Sequence, residues 1–549
     1  MTRVVVVGNG MVGSRFVEDL VRRDGGLDVT VLGAEEYEPY NRVLLSEVVA
    51  GKVDVASLAL PRQELPGVRV LLGAAVAGLD RLERVVTTAD GARFGYDVAV
   101  LATGARARVP GIEGLPSAAV TAGRAPAGLP AGLPAGVHAL RTLDDAREIV
   151  AATVNARHAV VLGGGVLGLE AACGLARRGL HVTVVHRGLH LMDRQLDPAA
   201  AAAVAGGLAA LGVGQRVGAR TAQVELLAGR LAAVRLGDGE RLPADLLVLA
   251  AGTEPETGLA LRAGLEVRRG VVVGADCATA DPAVYAIGDC AEPPEGGSGL
   301  IAQGWDQARR LAALLTSGAP ADGASPAPAA GAPTDVVRVK AHGLDVVTMG
   351  GHGPIAGAPA PGLRRVRLSD PDAGRHVEVV VAGGVVVGAT CVGAGPVAAD
   401  LVAAYTRRTP APADPAQLLL RPVRGAVAAS EPSATLMPDR ATVCRCNGVT
   451  KGEIVASWRA GARTLPDVAV ATRATTGCGG CADAVCGLLD WLGNPGQASG
   501  AGAAAPVAAG SVVGSAAAGA AEPLVADGVA SAALGGTVGR AGAAAGSSR

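Results

Sequence analysis

Val4-Val-Val-Val-Gly8-Asn-Gly10-Met-Val-Gly13 is the stretch whose reading decides the fold. Four consecutive β-branched residues predict a strand buried on both faces, as in a parallel sheet. The run passes directly into G-x-G-x-x-G, and residues 14–23 then read as a helix. Strand, glycine turn and helix in that order are the context that makes this motif informative. The glycines permit a tight turn and let a pyrophosphate approach the helix N-terminus, where unpaired N–H groups and the dipole favour an anion. A second strand over 28–32 ends beside Glu35, 22 residues past Gly13. A carboxylate there can accept hydrogen bonds from a ribose diol. Glu36 competes for that role, or is a solvated loop charge.

The same phrase recurs. Ala159-Val-Val-Leu-Gly163-Gly-Gly165-Val-Leu-Gly168 again lies between a strand and a helix, here 169–178, and the next strand is 181–185. Where a carboxylate would select the 2′-hydroxyl of NADH stand His186 and Arg187. Arg187 can pair with the 2′-phosphate of NADPH or stand in solvent, and the choice stays open. Tyr96-Asp-Val-Ala-Val-Leu-Ala-Thr103-Gly104 and Ala244-Asp-Leu-Leu-Val-Leu-Ala-Ala-Gly252 are also one phrase used twice, each after its own glycine motif. Ala283-Val-Tyr-Ala-Ile-Gly288-Asp289-Cys290 adds a strand ending in an aspartate, which reads as a turn or as a site.

Residues 1–316 resemble the two-dinucleotide-binding-domain flavoproteins, the FAD-dependent pyridine nucleotide oxidoreductases. The resemblance implies that Gly8, Gly10 and Gly13 hold the FAD pyrophosphate, Glu35 the adenosine ribose, and Asp289 the ribityl chain, with Gly288 before it also in the expected cofactor-binding set. It implies that Gly163, Gly165 and Gly168 cradle NAD(P)H, with Glu170 near the nicotinamide–flavin contact. Thr103, Gly104, Gly252 and Arg42 complete the expected cofactor-binding set, and the flavin leaves no separate catalytic side chain to assign. Pro39-Tyr40-Asn41-Arg42-Val-Leu-Leu-Ser46 and residues 186–197 resemble, more narrowly, assimilatory nitrite reductase large subunits and electron-transfer subunits of assimilatory nitrate reductases. Related reductases place a flavin-facing lysine after that serine. Here Glu47 stands there, and Lys52 is the substitute within reach in sequence. Disulfide reductases of this fold carry a cysteine pair after the first helix, whereas the first cysteine here is Cys173.

Far downstream, Cys444-Arg445-Cys446 is answered after a 31-residue spacer by Cys478-Gly-Gly-Cys481. Small loop residues let backbone N–H groups turn toward sulfur, and four thiolates suit an iron–sulfur cluster. They also suit tetrahedral zinc, and the spacing alone leaves both open. The surrounding 443–449 and 476–481 resemble the bacterioferritin-associated-ferredoxin-like [2Fe-2S] domain, which implies iron held by Cys444, Cys446, Cys478 and Cys481. Cys486 falls outside the pattern and reads as a core residue of the helix that follows. Residues 451–463 read as a helix capped by Thr450.

The expected architecture is α/β: two Rossmann-like dinucleotide-binding domains, a β-rich C-terminal domain and a small helical [2Fe-2S] domain. FAD-binding residues 1–115 and 248–317 bracket an inserted NAD(P)H-binding domain over 137–247, beyond an Ala/Gly/Pro-rich insertion at 116–136. A linker at 318–333, a β-rich domain over 334–425, a cluster domain over 440–493 and an Ala/Gly/Ser tail over 494–549 follow. His342 and His352, in the β-rich part, read as structural. At 549 residues there is room for three or four domains. The net charge of −1 gives no electrostatic case for nucleic acid or an anionic membrane. No apolar run approaches the ~18 residues of a membrane span, the N-terminus lacks a signal-peptide pattern, and ligand-type cysteines suit a reducing compartment, so the expected location is cytoplasmic.

The expected function is an NAD(P)H-oxidising FAD and [2Fe-2S] protein that delivers single electrons to a protein acceptor. By resemblance that acceptor is the catalytic centre of a nitrate or nitrite reductase. Since only Cys486 follows Cys481, that centre is expected on another polypeptide. The alternatives are a general ferredoxin- or rubredoxin-type reductase and a non-catalytic redox-sensing flavoprotein.

Overall fold

Strand Arg3–Val7 lies in the middle of a five-stranded parallel sheet, in the order Val284–Ala286, Val98–Leu101, Arg3–Val7, Asp28–Leu32, Val68–Leu71. Val4 to Val7 are all buried, as a strand covered on both faces requires. The structure is a computed structural model and describes residues 1–61, 65–116, 132–316, 335–350, 362–420, 437–444, 447–477 and 479–493. The insertion expected at 116–136 falls mostly outside these residues, and the linker, the tail, His352, Cys446 and Cys478 fall wholly outside them.

The second glycine motif leaves a second five-stranded parallel sheet, ordered Gly214–Arg216, His181–Val185, His158–Leu162, Leu246–Leu249, Val137–Ala139. Each half also carries a three-stranded antiparallel meander, Val76–Asp80 to Arg93–Gly95 and Thr221–Leu227 to Arg241–Pro243. The chain enters the inserted half through Ala105–Ala107 and leaves through Thr253–Pro255, which pair with each other. The boundary expected at 247 therefore falls inside strand Leu246–Leu249, and the second sheet runs two residues past it.

Both fingerprint helices begin three residues earlier than the sequence suggested, at Met11 and Val166. The cause is steric. Gly13 and Gly168 lie inside the first helical turn, each against the carbonyl of its own strand-end glycine, where a Cβ would overlap Gly8 O or Gly163 O.

The β-rich unit is a five-stranded antiparallel sheet, ordered Val337–Ala341, Leu344–Gly350, Val385–Val392, Arg375–Ala382, Leu363–Asp370, with helix Gly395–Arg407 against it. Val339 and Val346 join the same core as Leu169 and Cys173 of helix Val166–Arg177, which brings the first strand of this sheet against the second dinucleotide half. His342, at the turn after that strand, is exposed.

The cysteine domain is a short hairpin, Thr442–Cys444 with Val449–Thr450, and helices Lys451–Arg459, Leu465–Thr472 and Ala482–Gly493. Thr450 caps the first helix through a reciprocal box with Glu453, which satisfies two otherwise unpaired N–H groups. That helix stops at Arg459, short of 463, because Gly461 turns at φ 112°. Cys486 is exposed, which corrects its assignment to the core: Val485, Leu488 and Leu489 take the inward face of its helix.

Candidate functional site

Helix Met11–Val21 starts at Gly10 and helix Val166–Arg177 at Gly165, and neither start has a side-chain cap. Their first N–H groups are left for a ligand. Gly8 adopts φ 116° and Gly163 φ 124°, and a Cβ on either would overlap the carbonyl oxygen of Ala102 or Ala250. A Cβ on Gly10 or Gly165 would instead meet nothing within 4 Å. Each motif is thus closed toward its sheet and open on the ligand side, and the two copies match contact for contact. In the first, Asn9 Nδ2 is buried with no hydrogen-bond partner among the described residues. An orphaned donor in a glycine turn fits a dinucleotide.

A cavity of about 2220 Å³ runs from this turn. It brings together Gly8, Gly10, Glu35, Arg42, Thr103, Gly104, Gly288 and Asp289 of the expected flavin set, and Glu170 from the second half. Glu35 accepts from Tyr40 Oη at 2.8 Å and pairs with Arg42, whose guanidinium lies 4.7 Å from the Tyr40 ring centroid. Asp289 pairs with Arg141 at 2.8 Å, a residue the sequence did not single out. Arg141 is placed by the capping box of Thr142 and Asp145, and Gly288 by Gln307, whose buried Oε1 accepts its N–H at 2.7 Å. Thr103 Oγ donates to the Glu256 carbonyl at 2.7 Å, tying the first dinucleotide half to the returning chain.

Other expected residues stand elsewhere. Gly13 lies beneath the turn. Gly163, Gly165, Gly168, Gly252 and Arg187 do not wall this cavity, into which the second motif sends Val166, Leu167 and Glu170. Arg187 is exposed, while His186 accepts from Gly164 N–H at 3.2 Å through Nδ1, and burial lowers its pKa. Lys52 is corrected: it is exposed and outside the cavity, because Gly51 at φ 68° turns the chain outward after helix Leu45–Val49.

The cavity wall also includes Cys444, Gly448, Gly479, Gly480 and Cys481. Cys444 and Cys481 are buried. A hydrogen bond from the Cys481 thiol, outweighing burial, and N–H groups of Asn447 and Thr475 bring the Cys444 thiol down to about 6. Asn447 Nδ2 adds a contact to Cys444 Sγ at 3.7 Å. Thr475 sits at φ 71°, a strained conformation for a β-branched residue, in the loop that presents its N–H to that sulfur. A pocket that favours thiolate and aims N–H groups at it fits an iron–sulfur cluster.

Three contacts set this region on the first dinucleotide half. Asn41, buried, donates from Nδ2 to the carbonyls of Thr476 at 3.0 Å and Gly477 at 2.5 Å. Arg15 donates to Asn447 Oδ1 at 3.0 Å. Arg473, which burial and the neighbouring Arg15 pull down to about 10, meets the Glu18 carboxylate. Among the described residues a further ligand-like group, Asp197, His376 and Glu378, is already bridged by Arg367, 2.6 Å from Asp197 and 2.7 Å from Glu378. A cation is in place there.

Fold and site together define a protein of two dinucleotide-binding halves with an attached small cysteine-bearing domain. Comparison with known proteins agrees: the pyridine nucleotide-disulphide oxidoreductase model matches residues 2–310, and the BFD-like [2Fe-2S] binding domain model matches 442–491. The chain belongs to the pyridine nucleotide-disulphide oxidoreductase family, and its cofactors are FAD, NAD(P)H and a [2Fe-2S] cluster. It is 33% identical over 506 residues to the nitrite reductase [NAD(P)H] large subunit of Klebsiella oxytoca, covering 89% of this chain and 49% of that one. It is 28% identical to the assimilatory nitrate reductase electron transfer subunit of Bacillus subtilis, covering 90% of this chain and 60% of the relative. The chain thus spans about half the length of these relatives. Its structure resembles that of the covalent putidaredoxin reductase–putidaredoxin complex, with a TM-score of 0.63, 26% identity, and coverage of 76% and 95%. Among the described residues no helix is long and apolar enough to cross a membrane.

Proposed function

We propose that this chain is an electron-input unit of assimilatory nitrate or nitrite reduction, oxidising NAD(P)H and passing electrons singly to a protein acceptor. One observation carries the reading: residues of the flavin fingerprint and two of the four ligand-type cysteines wall the same cavity. When bound, FAD supplies two-electron hydride chemistry with NAD(P)H, and the cluster supplies one-electron transfer. The chain's own residues do the rest. The glycine turns bind pyrophosphate, Glu35 and Asp289 orient the flavin, Glu170 stands where the second half reaches the cavity, and the Cys444 pocket holds thiolate. Asn41, Arg15 and Glu18 keep the cysteine loop at the cavity wall. The names of the two relatives support nitrate or nitrite as the terminal oxidant.

The likeness to putidaredoxin reductase favours a second reading, a reductase for a ferredoxin-type carrier. Reconstitution separates them. The protein, reduced anaerobically by NADH or NADPH, is mixed with a sirohaem or molybdenum catalytic subunit plus nitrite or nitrate, or with ferredoxin or rubredoxin. Turnover of nitrite or nitrate at rates well above those with small carriers is expected. Fast ferredoxin or rubredoxin reduction with idle nitrogen oxides assigns the second reading, and no steady NAD(P)H oxidation with any acceptor points to a sensor.

A further inference from the structure

Glu170 is a carboxylate on which three parts of the chain meet. It is 3% exposed. Its Oε1 accepts from the Lys340 ammonium at 3.0 Å and from the Lys340 backbone N–H at 2.8 Å, and its Oε2 accepts from Ser46 Oγ at 2.5 Å. Ser46 belongs to the flavin half, Glu170 to the second dinucleotide half and Lys340 to the β-rich sheet. Both Glu170 and Lys340 wall the flavin cavity, whereas Glu47 and Lys52 do not. The chain has 49 basic residues, of which only Lys52, Lys340 and Lys451 are lysines. Lys340 is therefore a rare choice here. A lysine, unlike an arginine fork, is a compact point charge on a flexible stem that can change partner within a confined site.

We infer that Lys340 is the positioning cation of the flavin site, supplied by the β-rich domain, with Glu170 holding it at the cavity wall. The inference rests on the flavin reading of the cavity and goes beyond it by assigning the charge to a residue of another domain. Hydride transfer takes two electrons and one proton from NAD(P)H, releases NAD(P)⁺, and brings one negative charge into the cavity. A buried carboxylate alone would oppose that charge, whereas an ammonium beside it favours it. Since Ser46 and the Lys340 backbone N–H also hold Glu170, the ammonium can turn toward new negative charge without leaving Glu170 unpaired.

A purely structural tie and an electrostatic role differ in the sign of what they predict. In the full-length, FAD-loaded protein, the flavin midpoint potential is measured by spectroelectrochemistry for Lys340→Gln, Lys340→Arg and Glu170→Gln, with Tm and FAD content recorded alongside. Lys340→Gln should make reduction about tenfold less favourable, a drop of ~30 mV for a two-electron couple. Glu170→Gln should shift the potential upward, and Lys340→Arg should stay near the parent. A structural tie predicts a lower Tm for both Gln variants with the potential unmoved. That outcome, or shifts of the same sign in both, overturns the inference. If Lys340→Gln fails to retain FAD, Glu170→Gln decides alone: an unmoved or lowered potential refutes the role. Parent protein purified without FAD would refute the flavin reading itself, and is scored separately.

Discussion

Changing Asn41 to aspartate should release the cysteine loop from the flavin half while sparing the flavin site. The Asn41 amide makes two donations to the carbonyls of Thr476 and Gly477, and its Oδ1 accepts Val43 N–H at 3.1 Å to start the short helical turn Arg42–Leu44. Aspartate caps a turn as well as asparagine, so the local turn persists. It cannot donate. Two hydrogen bonds at ~0.5–1.5 kcal/mol each are lost, and an acceptor-only carboxylate then faces two carbonyl oxygens in a buried site. A total of about 2–4 kcal/mol corresponds to roughly 30- to 1000-fold in the docked-to-undocked ratio, at ~1.4 kcal/mol per tenfold. Two assays read it. Amide exchange at Arg473 and Thr476 should accelerate, and in anaerobic stopped flow cluster reduction should slow while flavin bleaching by NAD(P)H keeps its parental rate. Parental exchange together with parental cluster reduction would mean that Asn41 does not dock the loop.

Other expectations follow from the same geometry. Cys444→Ser should lower the iron-to-protein ratio severalfold, far more than it lowers FAD content, since serine replaces the thiolate poorly at iron; zinc in place of iron in anaerobically purified parent protein would defeat the cluster assignment. Arg187→Ala should cut kcat/KM for NADPH about tenfold, ~1.4 kcal/mol for one charge-assisted phosphate contact, and leave NADH unchanged. Equal losses for both would return Arg187 to solvent. Gly8→Ala should abolish FAD retention, because its Cβ has no room against the Ala102 carbonyl and the φ is left-handed; full flavin content in that variant would contradict the cradle. His376, fully buried, is held below the ordinary histidine range by burial. Its unfolded form gains a proton near pH 6.5 while the folded form does not. Stability is therefore complete above that pH and lost as pH falls toward the folded value, by up to ~1.4 kcal/mol per pH unit. Thermal unfolding at pH 5.5 and 7.5 should show this loss in the parent and a smaller one in His376→Gln.

The glycine motifs and the strands behind them were legible because their chemistry demands fixed local spacing. A turn that cradles pyrophosphate needs its glycines within a few residues, and that requirement reads directly in sequence. Strands Asp28–Leu32 and His181–Val185 have the bounds their β-branched runs suggested. What could not be read was set by folding distance. Asn41 meets Thr476 across 435 residues, and Lys340 meets Glu170 across 170. The sequence pointed to Lys52 because it was near the serine, but the helix that carries the serine ends in a turn that sends Lys52 outward. Arg141 was missed for a similar reason: its partner, Asp289, is 148 residues downstream. The helix starts were misjudged because the third glycine of each motif was read as loop when it is helix.

Segment 40–42 carries a consequence for how this protein is put together in the cell. Tyr40 and Arg42 reach Glu35, and Asn41 between them reaches the carbonyls of Thr476 and Gly477. Three consecutive residues thus touch both the carboxylate expected to meet the adenosine ribose and the loop expected to carry the cluster. Any occupant that steadies Glu35 steadies the backbone carrying Asn41, and linkage makes the effect reciprocal. Maturation should accordingly be ordered, with chains already loaded with flavin accepting iron and sulfide more readily than empty ones. A harsh purification that strips the flavin is expected to bleach the cluster as well.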